Sequence, residues 1–173
     1  MATRSVVGRF VGDTAWIGRY VHWDGYPAGM VPVLLDIVLR DGIDKTLDTL
    51  IWKNYSWSAL FGSDTPDYSE PGSKSFVEGY GERHTDMKSS DWITWEGDDW
   101  GTEYAYIFEP TAKSVTIFKR VDNEWTKFDI MDFGPAIFRV KSEETTIAEE
   151  ITKLWTSHSV FAGLMLTGNK QSA

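Results

Sequence analysis

Two hydrophobic periods divide the chain. Residues 6–11 and 15–23 are β-branched and aromatic runs separated by Gly12-Asp13-Thr14, which predicts an N-terminal β-hairpin. Residues 30–39 then follow a helical pattern, with Pro32 in the first turn and Asp41-Gly42 as a stop. Apolar residues cover nearly the whole circumference of that helix, so it is expected to be buried on several sides. A second helix over 43–53 carries Ile43, Leu47, Leu50 and Ile51 on one face and Asp44, Lys45 and Asp48 on the other.

The second half switches to period two. Residues 92–95, 103–108, 114–121 and 124–131 are strand candidates joined by short turn-rich connections, the pattern of an antiparallel meander. A capping box, Thr146 with Glu149, opens a last helix striped by Ile147, Ile151, Leu154 and Trp155. The expected fold class is therefore α+β: N-terminal β-hairpin, two helices, antiparallel β-meander and C-terminal helix. One domain accounts for all 173 residues, with a long surface loop near 62–74.

Charge narrows the partners. The net charge of −9 is spread evenly, with 8 basic and 12 acidic residues in 1–86 and 9 and 14 in 87–173. An extended nucleic-acid surface is disfavoured, and no acidic tail splits off. No apolar run is long enough for a membrane helix, and Met1-Ala2-Thr3-Arg4-Ser5 lacks a signal-peptide core. The absence of cysteine excludes disulfides and thiolate sites, and a cytoplasmic location fits that best.

Alternation on the second strand supplies the candidate chemistry. Trp16, Gly18, Tyr20, His22 and Asp24 share one face, so Tyr20, His22 and Asp24 are expected to emerge together where Gly25-Tyr26-Pro27 leads into a helix. An imidazole, a carboxylate and phenols beside helix N-terminal N–H groups suit a small anionic ligand. The plainer role for His22 and Asp24 is to hydrogen-bond the turn and cap the helix. Arg83 and His84, just after the long loop, complete the ligand-binding set Tyr20, His22, Asp24, Tyr26, Arg83 and His84. An alternative joins two His-x-Asp pairs, His22 with Asp24 and His84 with Asp86, as metal ligands of a hydrolase. His158 falls on the apolar face of the last helix and reads as structural.

Other signatures fail. Gly-x-Ser-x-Gly, Ser-x-x-Lys and phosphate-loop patterns are absent, and Gly79-Tyr80-Gly81 lacks the third glycine of a dinucleotide loop. The acidic turn Glu96, Asp98, Asp99 and Glu103 lacks calcium-loop spacing and reads as a solvated hairpin tip. The 9 tryptophans are an oddity of composition. Trp95, Tyr106, Phe118 and Phe128 form a cross-strand stack if the registers align, either filling the core or offering a stacking platform.

The block Gly18-Arg19-Tyr20-Val21-His22-Trp23-Asp24-Gly25-Tyr26-Pro27 resembles a family of small proteins from actinobacteria and their phages. Arg40-Asp41-Gly42, Tyr55-Ser56-Trp57-Ser58, Asp91-Trp92-Ile93-Thr94 and Glu103-Tyr104-Ala105-Tyr106-Ile107-Phe108 extend the resemblance over much of the chain. It implies a shared architecture and an intracellular setting, and it brings no activity, cofactor or catalytic residue. The expectation is a non-catalytic binding protein without a cofactor. It would be a phage or mobile-element accessory factor that binds a small anionic ligand or inhibits a host component. The alternatives are the metal-dependent hydrolase and a protein-docking inhibitor acting through exposed tryptophans.

Overall fold

The structure is a computed structural model that describes residues 2–66, 75–97 and 100–157. Asp98, Asp99, His158 and most of the 62–74 loop lie outside the described residues. The chain is α+β. Its strands are β1 (Ser5–Phe10), β2 (Trp16–Val21), β3 (Ser56–Leu60), β4 (Phe76–Val77), β5 (Gly81–Arg83), β6 (Ile93–Thr94), β7 (Tyr104–Glu109), β8 (Ser114–Val121) and β9 (Glu124–Asp132). The helices are α1 (Pro27–Asp41), α2 (Ile43–Leu47), α3 (Gly134–Lys141) and α4 (Ile147–Ser157).

All nine strands join one sheet in the order β4-β5-β3-β2-β1-β7-β8-β9, and β6 also pairs with β2. The hairpin and the β7–β9 meander form as expected, but two parallel pairings, β1 with β7 and β2 with β3, fuse them into a single mixed layer. Residues 92–95 do not open the meander. Only Ile93–Thr94 is strand, and it runs antiparallel to β2 at Ile17 and Gly18. The short β3, β4, β5 and α3 carry too few alternating residues to announce themselves in the sequence.

Helix α1 starts three residues before the expected position. Pro27 occupies its first turn, where a missing N–H costs nothing, and this leaves Pro32 in the helix interior. The second helix is also corrected. Five residues of α2 give way to a π-helical turn, Asp48–Trp52, because side chains claim its carbonyls. Asn54 Nδ2 donates to Thr49 O at 2.7 Å, Trp57 Nε1 to Leu50 O at 3.0 Å and Arg19 Nε to Ile51 O at 2.9 Å. The capping box at α4 forms in part. Glu149 N donates to Thr146 Oγ1 at 3.2 Å, while Glu149 Oε2 accepts from Thr145 Oγ1 instead of the Thr146 amide.

The sheet has two packed faces. On one, Val7, Val21, Trp57, Tyr106, Phe108 and Ile117 meet Leu34, Ile37, Leu50 and Ile51, all essentially sealed from water. Each such aliphatic side chain contributes roughly 2 kcal/mol relative to exposure. On the other, Val6, Trp16, Tyr20, Ala105 and Ile107 are covered by Met87 and Ile93. The expected aromatic stack does not form. Register pairs Tyr106 with Ile117 and Ala105 with Phe118, so Tyr106 and Phe118 lie on opposite faces. Phe118 stacks instead on Trp16 (6.2 Å between centroids), and Trp95 is exposed.

Candidate functional site

Residues 18–27 have a local physical logic. Gly18 stands opposite Gly8, and an added Cβ at Gly8 would collide with the Ile17 carbonyl. Arg19 turns to the helix side and stacks its guanidinium over Trp92, 3.3 Å from the ring centroid. Gly25 is clamped by neighbours. Its N–H donates to Thr3 O at 2.8 Å, and its carbonyl accepts the Tyr106 hydroxyl at 2.5 Å. A Cβ at Gly25 would sit 2.6 Å from Ser5 Cβ and Oγ.

Tyr20 and His22 stay on one face, as alternation expects, and their polar atoms meet. Tyr20 Oη lies 2.6 Å from His22 Nδ1. Whichever group donates, Nδ1 is occupied and Nε2 is the remaining ring nitrogen. His84 arrives from two strands away. Its N–H donates to Ser56 O at 3.2 Å, its carbonyl accepts the Ser56 hydroxyl, and Ser56 is the register partner of Tyr20. The three rings form a near-equilateral cluster, with centroids 5.8 Å apart for Tyr20–His22 and Tyr20–His84, and 5.7 Å for His22–His84. His84 Nδ1 is buried without a hydrogen-bond partner, which leaves Nε2 as the ring's other polar atom.

Two indoles frame the rings. Trp23 packs edge-on against His22 at 4.7 Å, and Trp100 lies 5.9 Å from Tyr20. Arg4 comes next to Trp100 because the parallel β1–β7 pairing lays the N-terminal strand beside the start of β7. Glu103 N donates to Arg4 O at 2.8 Å, and Arg4 Nη1 reaches Trp100 O at 3.4 Å. Burial holds the His22 pKa below the ordinary imidazole value, and the charges of Arg4 and His84 lower it further. His22 is therefore neutral at physiological pH. Sequence reasoning missed Arg4 and Trp100, which are 96 residues apart and carry no local signal of their meeting.

The remaining expected residues divide. Arg83 and His84 line a cleft of about 270 Å³ with Lys53, Asn54, Tyr55, Ser56 and Met87, and Arg83 Nε is held by Asn54 Oδ1 at 2.7 Å. Asp24 does not share the ring face. β2 ends at Val21, and Asp24 adopts a left-handed conformation (φ 56°) that breaks the alternation and leaves it exposed. Tyr26 precedes α1 and packs against the helix-side core. The helix start offers little to an anion, since Pro27 lacks an N–H and Gly29 N donates to Tyr26 O. Nor do His22, Asp24, His84 and Asp86 gather round an ion. Among the described residues no group of three or more His, Asp or Glu is placed to hold a metal.

Larger hollows lie elsewhere. One of about 700 Å³ surrounds Arg40, Asp41 and Tyr80, whose polar atoms satisfy one another. Arg40 donates to Asp41, Ser63 Oγ and Gly79 O, and the Tyr80 hydroxyl donates to Asp41 at 2.6 Å. The hydrogen bond from Arg40 holds Asp41 below the usual carboxylate range, and burial pushes Tyr80 up to about 12. That network braces the fold. No helix among the described residues is long and apolar enough to cross a membrane. No family model, curated protein or solved structure matches the chain.

Proposed function

We propose that this is a binding protein for a small anionic ligand, held at the corner built by His22, His84 and Arg4, with Tyr20 orienting the first imidazole. One observation carries the reading. Two imidazoles with Nδ1 bonded or buried have Nε2 as their remaining nitrogen, and the exposed Arg4 guanidinium is close enough for its charge to act on His22. The tautomer of His22 sets what Nε2 presents: when the Tyr20 hydroxyl donates to Nδ1, Nε2–H donates to a bound anion, and when Nδ1–H donates to Tyr20 Oη, Nε2 accepts a proton from the ligand. Arg83 extends the positive rim along the adjoining cleft. A cytoplasmic accessory role in a phage or mobile element fits the resemblance of the 18–27 block.

The test is a titration with inorganic phosphate, followed by calorimetry and by imidazole NMR. Saturable shifts of His22 and His84 together, lost in Arg4→Ala, are expected. Shifts in neither ring, with no heat of binding, would reject the reading.

A second reading draws on four exposed tryptophans, Trp23, Trp52, Trp95 and Trp100. It makes the protein an inhibitor docking on a host protein, with indoles as anchors. Trp95→Ala would then weaken capture of that protein and leave phosphate binding unchanged.

A further inference from the structure

We infer that the Tyr20–His22–His84 corner cleaves a small ribonucleotide phosphodiester, with the two imidazoles as its proton-transfer pair and no metal ion. This rests on the anion-site reading and adds to it a substrate class and a reaction. Transesterification at phosphorus needs a base on the attacking hydroxyl and an acid on the leaving oxygen, several ångströms apart across one phosphate. His22 and His84 lie 5.7 Å apart between ring centroids, a spacing that suits one phosphate, and with each Nδ1 either bonded or buried, Nε2 is the ring nitrogen left for the transfer. Arg4 supplies a cation that keeps its charge through the reaction, for the non-bridging oxygens.

The rim points to a nucleotide rather than a bare anion. Trp23 and Trp100 are 49% and 41% exposed, and they adjoin His22 and Tyr20 respectively. Indoles in that position are stacking surfaces for bases, worth about 1–3 kcal/mol per base. The net charge of −9 disfavours a long polyanion and so favours a short substrate, with a dinucleotide as the smallest that holds the bond to be cleaved.

The step balances without a co-reactant. His22 donates Nδ1–H to Tyr20 Oη, which leaves Nε2 as the base that removes the 2′-hydroxyl proton. The 2′-oxygen then attacks phosphorus as the bond from phosphorus to the 5′-oxygen breaks. His84, entering the step as the imidazolium, gives its Nε2 proton to that departing oxygen and is left as neutral imidazole. The products are a 2′,3′-cyclic phosphate and a free 5′-hydroxyl, and solvent returns both histidines to their starting states. Burial, Arg4 and His84 all favour neutral His22, the form a base requires. The charged and titratable groups facing it are Arg4 ahead of β1, Tyr20 on β2 and His84 after β5.

The experiment uses the full chain, with uridylyl-adenosine as substrate and its 2′-deoxy analogue as the uncleavable probe, both in EDTA. Cleavage of the first alone is expected, with a bell-shaped pH profile. His22→Gln and His84→Gln, checked for folding by circular dichroism, are each expected to lower the rate about 10²–10⁴-fold. No cleavage above the no-protein control, or a rate unchanged in both variants, would overturn the inference. Binding of the deoxy analogue separates the two readings. If it binds through His22 and His84 while the ribo-substrate survives, the anion site stands and the catalysis falls. If neither binds, both fall.

Discussion

Replacing Arg19 with methionine isolates the contact that joins β2 to both the π-helical turn and the segment before β6. The side chain is 1% exposed. Its Nε donates to Ile51 O at 2.9 Å, and Nη1 donates to Ser89 O at 3.1 Å and Asp91 O at 3.0 Å. Methionine fills much of the same volume and donates nothing. Ser89 and Asp91 belong to a wet turn, so their carbonyls rehydrate at small cost. Ile51 is sealed, and its orphaned carbonyl costs about 1–3 kcal/mol. Loss of the desolvated guanidinium–indole contact with Trp92 adds about 2 kcal/mol. Relief from burying a charge works the other way. Desolvation is the chief reason the Arg19 pKa falls to about 10. The expected net loss is about 3 kcal/mol, or about 6–12 °C in Tm for a chain of this length. Urea melts followed by circular dichroism would measure it, with Arg19→Lys recovering less than half. A methionine variant within about 0.5 kcal/mol of the parent would refute the reasoning, because ordinary surface substitutions fall in that range.

Other expectations follow from the same contacts. Gly25→Ala drives a methyl into Ser5 and the Thr3 carbonyl, costing about 3 kcal/mol by denaturant melt and weakening phosphate binding as Arg4 shifts. His22 should titrate by NMR below the ordinary imidazole value, and phosphate should raise its pKa. The unfolded chain protonates this ring at higher pH than the folded one. The stability that neutral His22 contributes is therefore complete above the unfolded value and is lost as pH falls through the folded one. Glu150→Ala removes the buried partner of Arg139, whose own side chain is 39% exposed and rehydrates. A loss of about 1 kcal/mol is expected, and a double-mutant cycle would assign it to the pair.

How much was legible depended on where the information lay along the chain. The first hairpin, the β7–β9 meander and the last helix announce themselves by local period, and each forms. The Tyr20–His22 pairing was equally readable, because two residues of one strand face are neighbours by geometry. Asp24 was misplaced because alternation was carried past Val21, where the strand stops and the backbone turns left-handed. The 43–53 helix was read as uniform because spacing cannot register Asn54, Trp57 and Arg19 reaching for its carbonyls. Nothing local reveals that β1 pairs with β7, and that pairing brings Arg4 to the rings. His84 was singled out by its His-x-Asp spacing and its place after the long loop, whereas its approach to Tyr20 follows from β3 lying between β2 and β5.

The central claim is that two imidazoles and a guanidinium from three distant segments serve one anion. A crystal structure of the protein soaked with a nucleoside monophosphate tests it directly. The expected result is a phosphate within hydrogen-bond distance of His22 Nε2, His84 Nε2 and the Arg4 guanidinium. Clear density for the nucleotide at another surface, with both Nε2 atoms bonded to the protein's own groups, would contradict it.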